Sequence, residues 1–142
     1  MSVGDKTVDG GNSDGVPVSS SDTLRLKRAI RNAEASSGLK FSVYLGRADG
    51  DPRQHAIRLH DALESSEESV LVLCDPFAKA LEIVTGKHAR RSLDDAECKL
   101  AAATMQSSFA AGEIIGGLSH GLQQLGSAAR EPETLHFREH LG

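Results

Sequence analysis

The stretch "SVLVLCDPFAKALEIVTG", residues 69 to 86, constrains the fold more than any other. Its first six residues are almost unbroken in apolar character, a pattern that suits a strand covered on both faces. "DPFAK" follows, with Pro76 placed to fix the backbone angle of a turn. Leu81, Ile83 and Thr85 then fall on every second position, the period of a strand. Two strands joined by so short a turn predict an antiparallel hairpin whose first member is central. At 142 residues, the chain around it has room for one domain with a core.

Upstream, "LKFSVYLG" alternates Phe41, Val43 and Leu45 with Ser42 and Tyr44, which predicts another strand. Between it and the hairpin, Ala56, Leu59, Ala62 and Leu63 form a helical stripe, with Pro52 suited to the first turn. A helical crossover makes the first two strands parallel. Before them, Ser21 or Asp22 caps a helix with apolar positions Leu24, Leu26, Ala29, Ile30 and Ala33, and Gly38 ends it. After the hairpin, Asp94 stands at an N-cap with Glu97 three residues on, close to a capping box. The helix it opens is expected to turn Ala96, Leu100, Ala103 and Thr104 inward. Ile114, Ile115, Leu118, Leu122 and Leu125 mark a last amphipathic helix, whose Gly116, Gly117 and Gly121 suit close packing on the sheet. The expected order is α-β-α-β-β-α-α: an α/β fold with a small mixed β-sheet and helices packed on its faces. Residues 1–20, rich in Gly, Ser and Asp, are expected to be disordered; 21–129 form the domain, and 130–142 a polar tail.

Composition narrows the function classes. A net charge of −4 and a pI near 5.8 disfavour nucleic-acid binding. No apolar run reaches the ~18 residues of a transmembrane helix. "MSVGDKTVDGGNSDG" has no apolar core of the signal-peptide kind, so a cytoplasmic location is expected. In that compartment Cys74 and Cys98 are expected as reduced, partly buried thiols. One Tyr and no Trp leave little for a stacking surface.

The order of motifs from Ser69 onward resembles the TPM domain family. That family covers thylakoid lumen proteins, photosystem II repair factors and related (MOLO-like) membrane-associated proteins. An apolar strand precedes a V/I-x-x-G strand end (Ile83, Val84, Gly86). An L-x-D element follows (Leu93, Asp94, Asp95). A helix then closes on M-x-x-x-F-x-x-G-[DE], here Met105, Phe109, Gly112 and Glu113. "FSVYLG…HAIRLHDAL" fits the family's first strand and helix, so the resemblance covers about residues 22 to 129. It looks closest to small actinobacterial TPM-like proteins, often labelled a domain of unknown function. This chain departs from the pattern in its Gly86-Lys87-His88 loop and in having Ser107 and Ser108 where a proline usually precedes the phenylalanine. The resemblance implies an α/β sandwich. It also implies a choice of activities: acid phosphatase, metal binding, or roles in assembly and repair.

Three groups of side chains invite a functional reading. Asp94 and Asp95, with Asp22 or Glu97, offer carboxylate oxygens to calcium or another divalent cation, but serve equally as an N-cap and a dipole partner. Asp49 and Asp51 in the oxygen-rich loop "RADGDP" are a second metal candidate, in residue types that any turn needs. Lys87, Arg90 and Arg91, with His88, offer an anion site, or simply a solvated basic face. His55 and His60 read as surface residues. The H-x-x-E-H string at His136 to His140 is set aside, since no third ligand follows it. No nucleophile, base and oxyanion donor assemble in this pattern. The first expectation is therefore an interaction module with a protein partner, assisting assembly or maintenance of a larger, membrane-linked complex. A metal-assisted acid phosphatase and a calcium-binding domain are the alternatives.

Overall fold

The central strand, Ser69–Asp75, is buried along its whole length, and everything else is layered around it. The structure, a computed structural model, describes residues 8–9 and 18–129. Its elements in chain order are β1 Val8–Asp9, α1 Ser20–Ser37, β2 Lys40–Leu45, α2 Pro52–Asp61, β3 Ser69–Asp75, β4 Ala80–Thr85, α3 Asp95–Ala110 and α4 Ile114–Ala128. The sheet runs β1-β2-β3-β4. β2 and β3 are parallel, with Phe41 opposite Val70 and Val43 opposite Val72. β4 returns antiparallel, with Leu71 opposite Val84. The α-β-α-β-β-α-α order of the sequence reading holds from α1 to α4. β1 is an addition, parallel to β2 through Val8 and Val43.

The alternation of β2 and the continuous burial of β3 have one cause. One sheet face puts Phe41, Val43, Leu45, Val70, Val72 and Cys74 against α1, α3 and α4. The other puts Leu71, Leu73 and Val84 against Ala56 of α2. β3 feeds both layers. Each fully buried Leu or Val side chain contributes about 1.5–3 kcal/mol, which makes this strand the costliest place for a polar substitution.

Local signals set the helix ends. Gly38 takes φ 79 and its N–H donates to the carbonyl of Glu34, the left-handed close that glycine makes without a Cβ penalty. Pro52 opens α2 as expected, behind Asp51, whose carboxylate accepts from the Gln54 N–H at 3.0 Å. Asp94 and Glu97 complete a reciprocal capping box at 2.9 and 3.0 Å.

Several expectations are corrected. The cap of α1 is Ser19, whose Oγ accepts from the Asp22 N–H at 3.0 Å, so neither Ser21 nor Asp22 caps the helix. Leu24 faces solvent. α2 ends at Asp61, leaving Ala62 as its exposed C-cap. α3 is rotated from the expected face: Cys98, Ala101 and Met105 are buried, while Leu100 is 64% exposed. Alanines on every side of α3 supply no stripe from which to read its phase. His60 is buried and pairs its Nε2 with the carbonyl of Ser69 at 3.0 Å, so it is no surface residue. The α4 glycines serve helix–helix contacts more than the sheet. A Cβ on Gly121 would fall on Met105 of α3, and one on Gly126 on the backbone of Ala33 in α1. The disordered reading of residues 1–20 meets β1 at Val8–Asp9 and the start of α1 at Ser20. Residues 1–7, 10–17 and 130–142, with the His136 to His140 string, lie outside the described residues.

Candidate functional site

Parallel strands deliver their following loops to one end of a sheet, where open α/β folds present ligand-binding groups. Here that end carries the loop after β2 and the turn between β3 and β4. The buried Asp75 ties them together. Its Oδ2 accepts from the Ala48 N–H at 2.8 Å, and its Oδ1 accepts from the N–H groups of Phe77 and Ala78 at 2.9 and 3.1 Å. The carboxylate is thus committed to the backbone of both loops. Around it, the Tyr44 hydroxyl donates to the Arg47 carbonyl at 2.7 Å, and the Asp49 N–H donates to His55 Nδ1 at 2.9 Å. Arg47 stacks its guanidinium 3.8 Å from the ring centre of Phe77, which is 45% exposed. Lys79 holds φ 55, a left-handed conformation that costs a residue with a Cβ about 1 kcal/mol.

Beside this turn runs a groove of about 420 Å³, walled by Pro76, Ala80 and Leu81 from the hairpin and by Phe109, Ala110 and Ile114 from the helices. Its outer border is the edge strand β4. The Gly86 N–H donates to the Ser69 carbonyl at 2.9 Å, which sets the phase of the antiparallel ladder. Residues 82 and 84 then exchange bonds with β3, while Leu81, Ile83 and Thr85 aim their peptide groups away from it. Two arginines confirm the phase. Arg53 donates to the Ile83 carbonyl and Arg90 to the Thr85 carbonyl, each at 2.9 Å. The N–H groups of Leu81, Ile83 and Thr85 face the open side.

The other sequence candidates are dispersed. Asp49 and Asp51 are exposed at the sheet end just described. Asp49 lies 4.0 Å from Arg58, and Asp51 caps α2. Lys87, Arg90, Arg91, Asp94 and Asp95 lie at the opposite end, with Asp94 engaged in its capping box and Arg90 on the Thr85 carbonyl. Among the described residues, no group of three or more His, Cys, Asp or Glu side chains comes together as a metal site. Both cysteines are free and buried. Burial, then the charge of Asp75, pushes the Cys74 thiol up to about 12. Burial, then Asp95, Glu97 and Asp94, pushes Cys98 up to about 11, with Arg53 opposing. Neither thiol is an activated nucleophile. The open edge of β4 escaped the sequence reading, since strand order is not written in a local pattern. The clue available was Pro76 with Phe77: an aromatic ring beside a proline at a hairpin tip.

No helix among the described residues is long and apolar enough to cross a membrane. A family model described as Domain of unknown function (DUF5130) matches residues 2–126. Two Mycobacterium tuberculosis proteins, uncharacterized proteins Rv2468c and MT2543, are each 25% identical over 109 residues. The alignment covers 77% of this chain and 65% of theirs, so the chain spans less than two thirds of those relatives. Three solved structures share the fold. They are the BA42 protein of Bizionia argentinensis (TM-score 0.71, 20% identity, 79% of this chain and 81% of that one), the N-terminal domain of cg2496 from Corynebacterium glutamicum (0.69, 20%, 83% and 81%), and the N-terminal domain of a P. gingivalis protein (0.67, 16%, 78% and 75%).

Proposed function

The chain belongs to the family described as Domain of unknown function (DUF5130), and from that premise we propose that it works as a non-enzymatic interaction module that captures an extended, apolar segment of a partner protein along β4. One observation carries this reading: an edge strand whose outward N–H groups pair with no neighbouring strand among the described residues, bordering an apolar groove of about 420 Å³. The outward N–H groups of Leu81, Ile83 and Thr85 supply sequence-independent pairing, with Arg53 and Arg90 yielding the Ile83 and Thr85 carbonyls to the incoming strand, and the groove under Leu81 and Phe109 supplies side-chain selection. Phe77, held by Arg47, adds an exposed aromatic anchor at the groove's end. The order of Gly86, Leu93, Met105, Phe109 and Gly112 supports a further reading of TPM kinship, and with it a role in the assembly or maintenance of a larger, membrane-linked complex from the cytoplasmic side.

The test is selection of binding peptides from a random displayed library on the purified full chain, followed by NMR mapping. The expected binders are extended and apolar at alternate positions, and they move amides of residues 80–85 and 109–114. Thr85→Pro removes an outward N–H that the β3 ladder does not use, so it should abolish binding while preserving the spectrum. Binders that leave β4 unmoved would overturn the reading. So would metal-dependent turnover of a phosphate ester by the same preparation, abolished by Asp94→Asn.

A further inference from the structure

A second cavity lies on the helical side of the molecule, away from the β4 edge. It is a groove of about 490 Å³ between α1 and α4. Arg25, Arg28 and Asn32 line it from α1; Ser119, His120 and Gln123 line it from α4. The residues from α1 fall three and four apart, on one face of the helix. Arg25 reaches across to α4: a Cβ on Gly116 would lie 3.7 Å from its Nη2.

The charge of this groove is opposite to that of the chain. The protein carries −4 overall, yet among the described residues none lining the groove is acidic. Asp22 and Glu113 stand past its end, beside Arg25 in an adjoining hollow. Among the described residues, neither Arg25 nor Arg28 has a carboxylate within 4.0 Å. The wall also holds a buried hydroxyl, Ser119 Oγ, that has no hydrogen-bond partner among the described residues. Two guanidinium forks with no described carboxylate within 4.0 Å, a histidine, and the neutral amides of Asn32 and Gln123 beside them form a consistent set. The forks match phosphate oxygens, and the amides match the hydroxyls of the group that the phosphate is attached to. The volume suits a small ligand.

We propose that the α1–α4 groove binds a phosphate monoester on a polyhydroxylated small group, with Arg25 and Arg28 holding the phosphate and Asn32 and Gln123 facing the hydroxyl-bearing part. Such a group could be a free metabolite or a lipid headgroup. This site is independent of the peptide edge, and its test uses different residues.

The full chain is titrated by NMR with inorganic phosphate, with glucose 6-phosphate and with glucose; vesicles with and without phosphatidylinositol phosphate are sedimented with it in parallel. Saturable shifts confined to residues 25–36 and 116–127, stronger for the sugar phosphate than for phosphate or glucose, support the site with a soluble ligand. Sedimentation that requires the phosphorylated headgroup, with no response to the sugar phosphate, supports it with a lipid source. In either case Arg25→Ala with Arg28→Ala must weaken binding by roughly tenfold or more, as the loss of charge-assisted hydrogen bonds demands. Lys87→Ala must leave it unchanged. Absence of both responses at millimolar ligand overturns the proposal, as do shifts centred on residues 87–91 or binding indifferent to the arginine pair.

Discussion

At the residue scale, Asp94 shows how one side chain can be read two ways. Its carboxylate accepts from the Glu97 N–H, and Glu97 returns a bond to the Asp94 N–H. A role that rests on this cap depends on an acceptor oxygen, not on charge. Asparagine supplies that oxygen, so Asp94→Asn should keep stability within about 0.5 kcal/mol, whereas Asp94→Ala should cost about 1 kcal/mol. Urea unfolding of the two variants decides it. An asparagine variant as unstable as the alanine one would show that the charge itself has a partner. The cap was legible in the sequence because its donors and acceptors lie within three residues. His60 was not, since its partner, the Ser69 carbonyl, is supplied by a neighbouring strand.

At the scale of elements, the seam of α4 against its neighbours is built on glycines of unequal tolerance. A Cβ on Gly126 would approach the Cα of Ala33 to 2.8 Å, and a backbone cannot step aside. The three nearest atoms to a Cβ on Gly121 all belong to the side chain of Met105, a flexible chain that can repack where a backbone cannot. Alanine is intrinsically the better helix former by about 1 kcal/mol, and that gain offsets part of each clash. Gly126→Ala should therefore lower Tm clearly more than Gly121→Ala, and Met105→Ala should reduce the cost of Gly121→Ala further. Equal losses in a thermal melt, or no coupling to Met105, would contradict this account. Helical periodicity placed α4 well, because Leu118, Leu122 and Leu125 mark one face. It misplaced α3, where small residues on every face give no phase and only contact with α4 selects one.

For the whole molecule, the buried thiols couple packing to alkaline stability. An unfolded thiol loses its proton near 9.0, while in the fold Cys74 keeps it to about 12 and Cys98 to about 11. Between those values the folded state binds more protons than the unfolded one. The contribution is therefore complete below pH 9 and is lost as pH rises, at up to about 1.4 kcal/mol per pH unit for each thiol. Denaturant unfolding between pH 8 and 11 should show this decline, less steep in Cys98→Ala, with no added loss from the thiols on the acid side. By itself the sequence determined what local chemistry can determine. The turn formers of the hairpin, the cap of α3, the Gly38 stop and the two-face burial of β3 each follow from residues close together in the chain. Only the tertiary structure decided the rotation of α3, the burial of His60, the outward phase of β4 and the meeting of Arg25 and Arg28 with α4. These depend on contacts between residues far apart in sequence, set when several layers pack at once, and "RLKRAIR" alone does not say which helix its arginines will face.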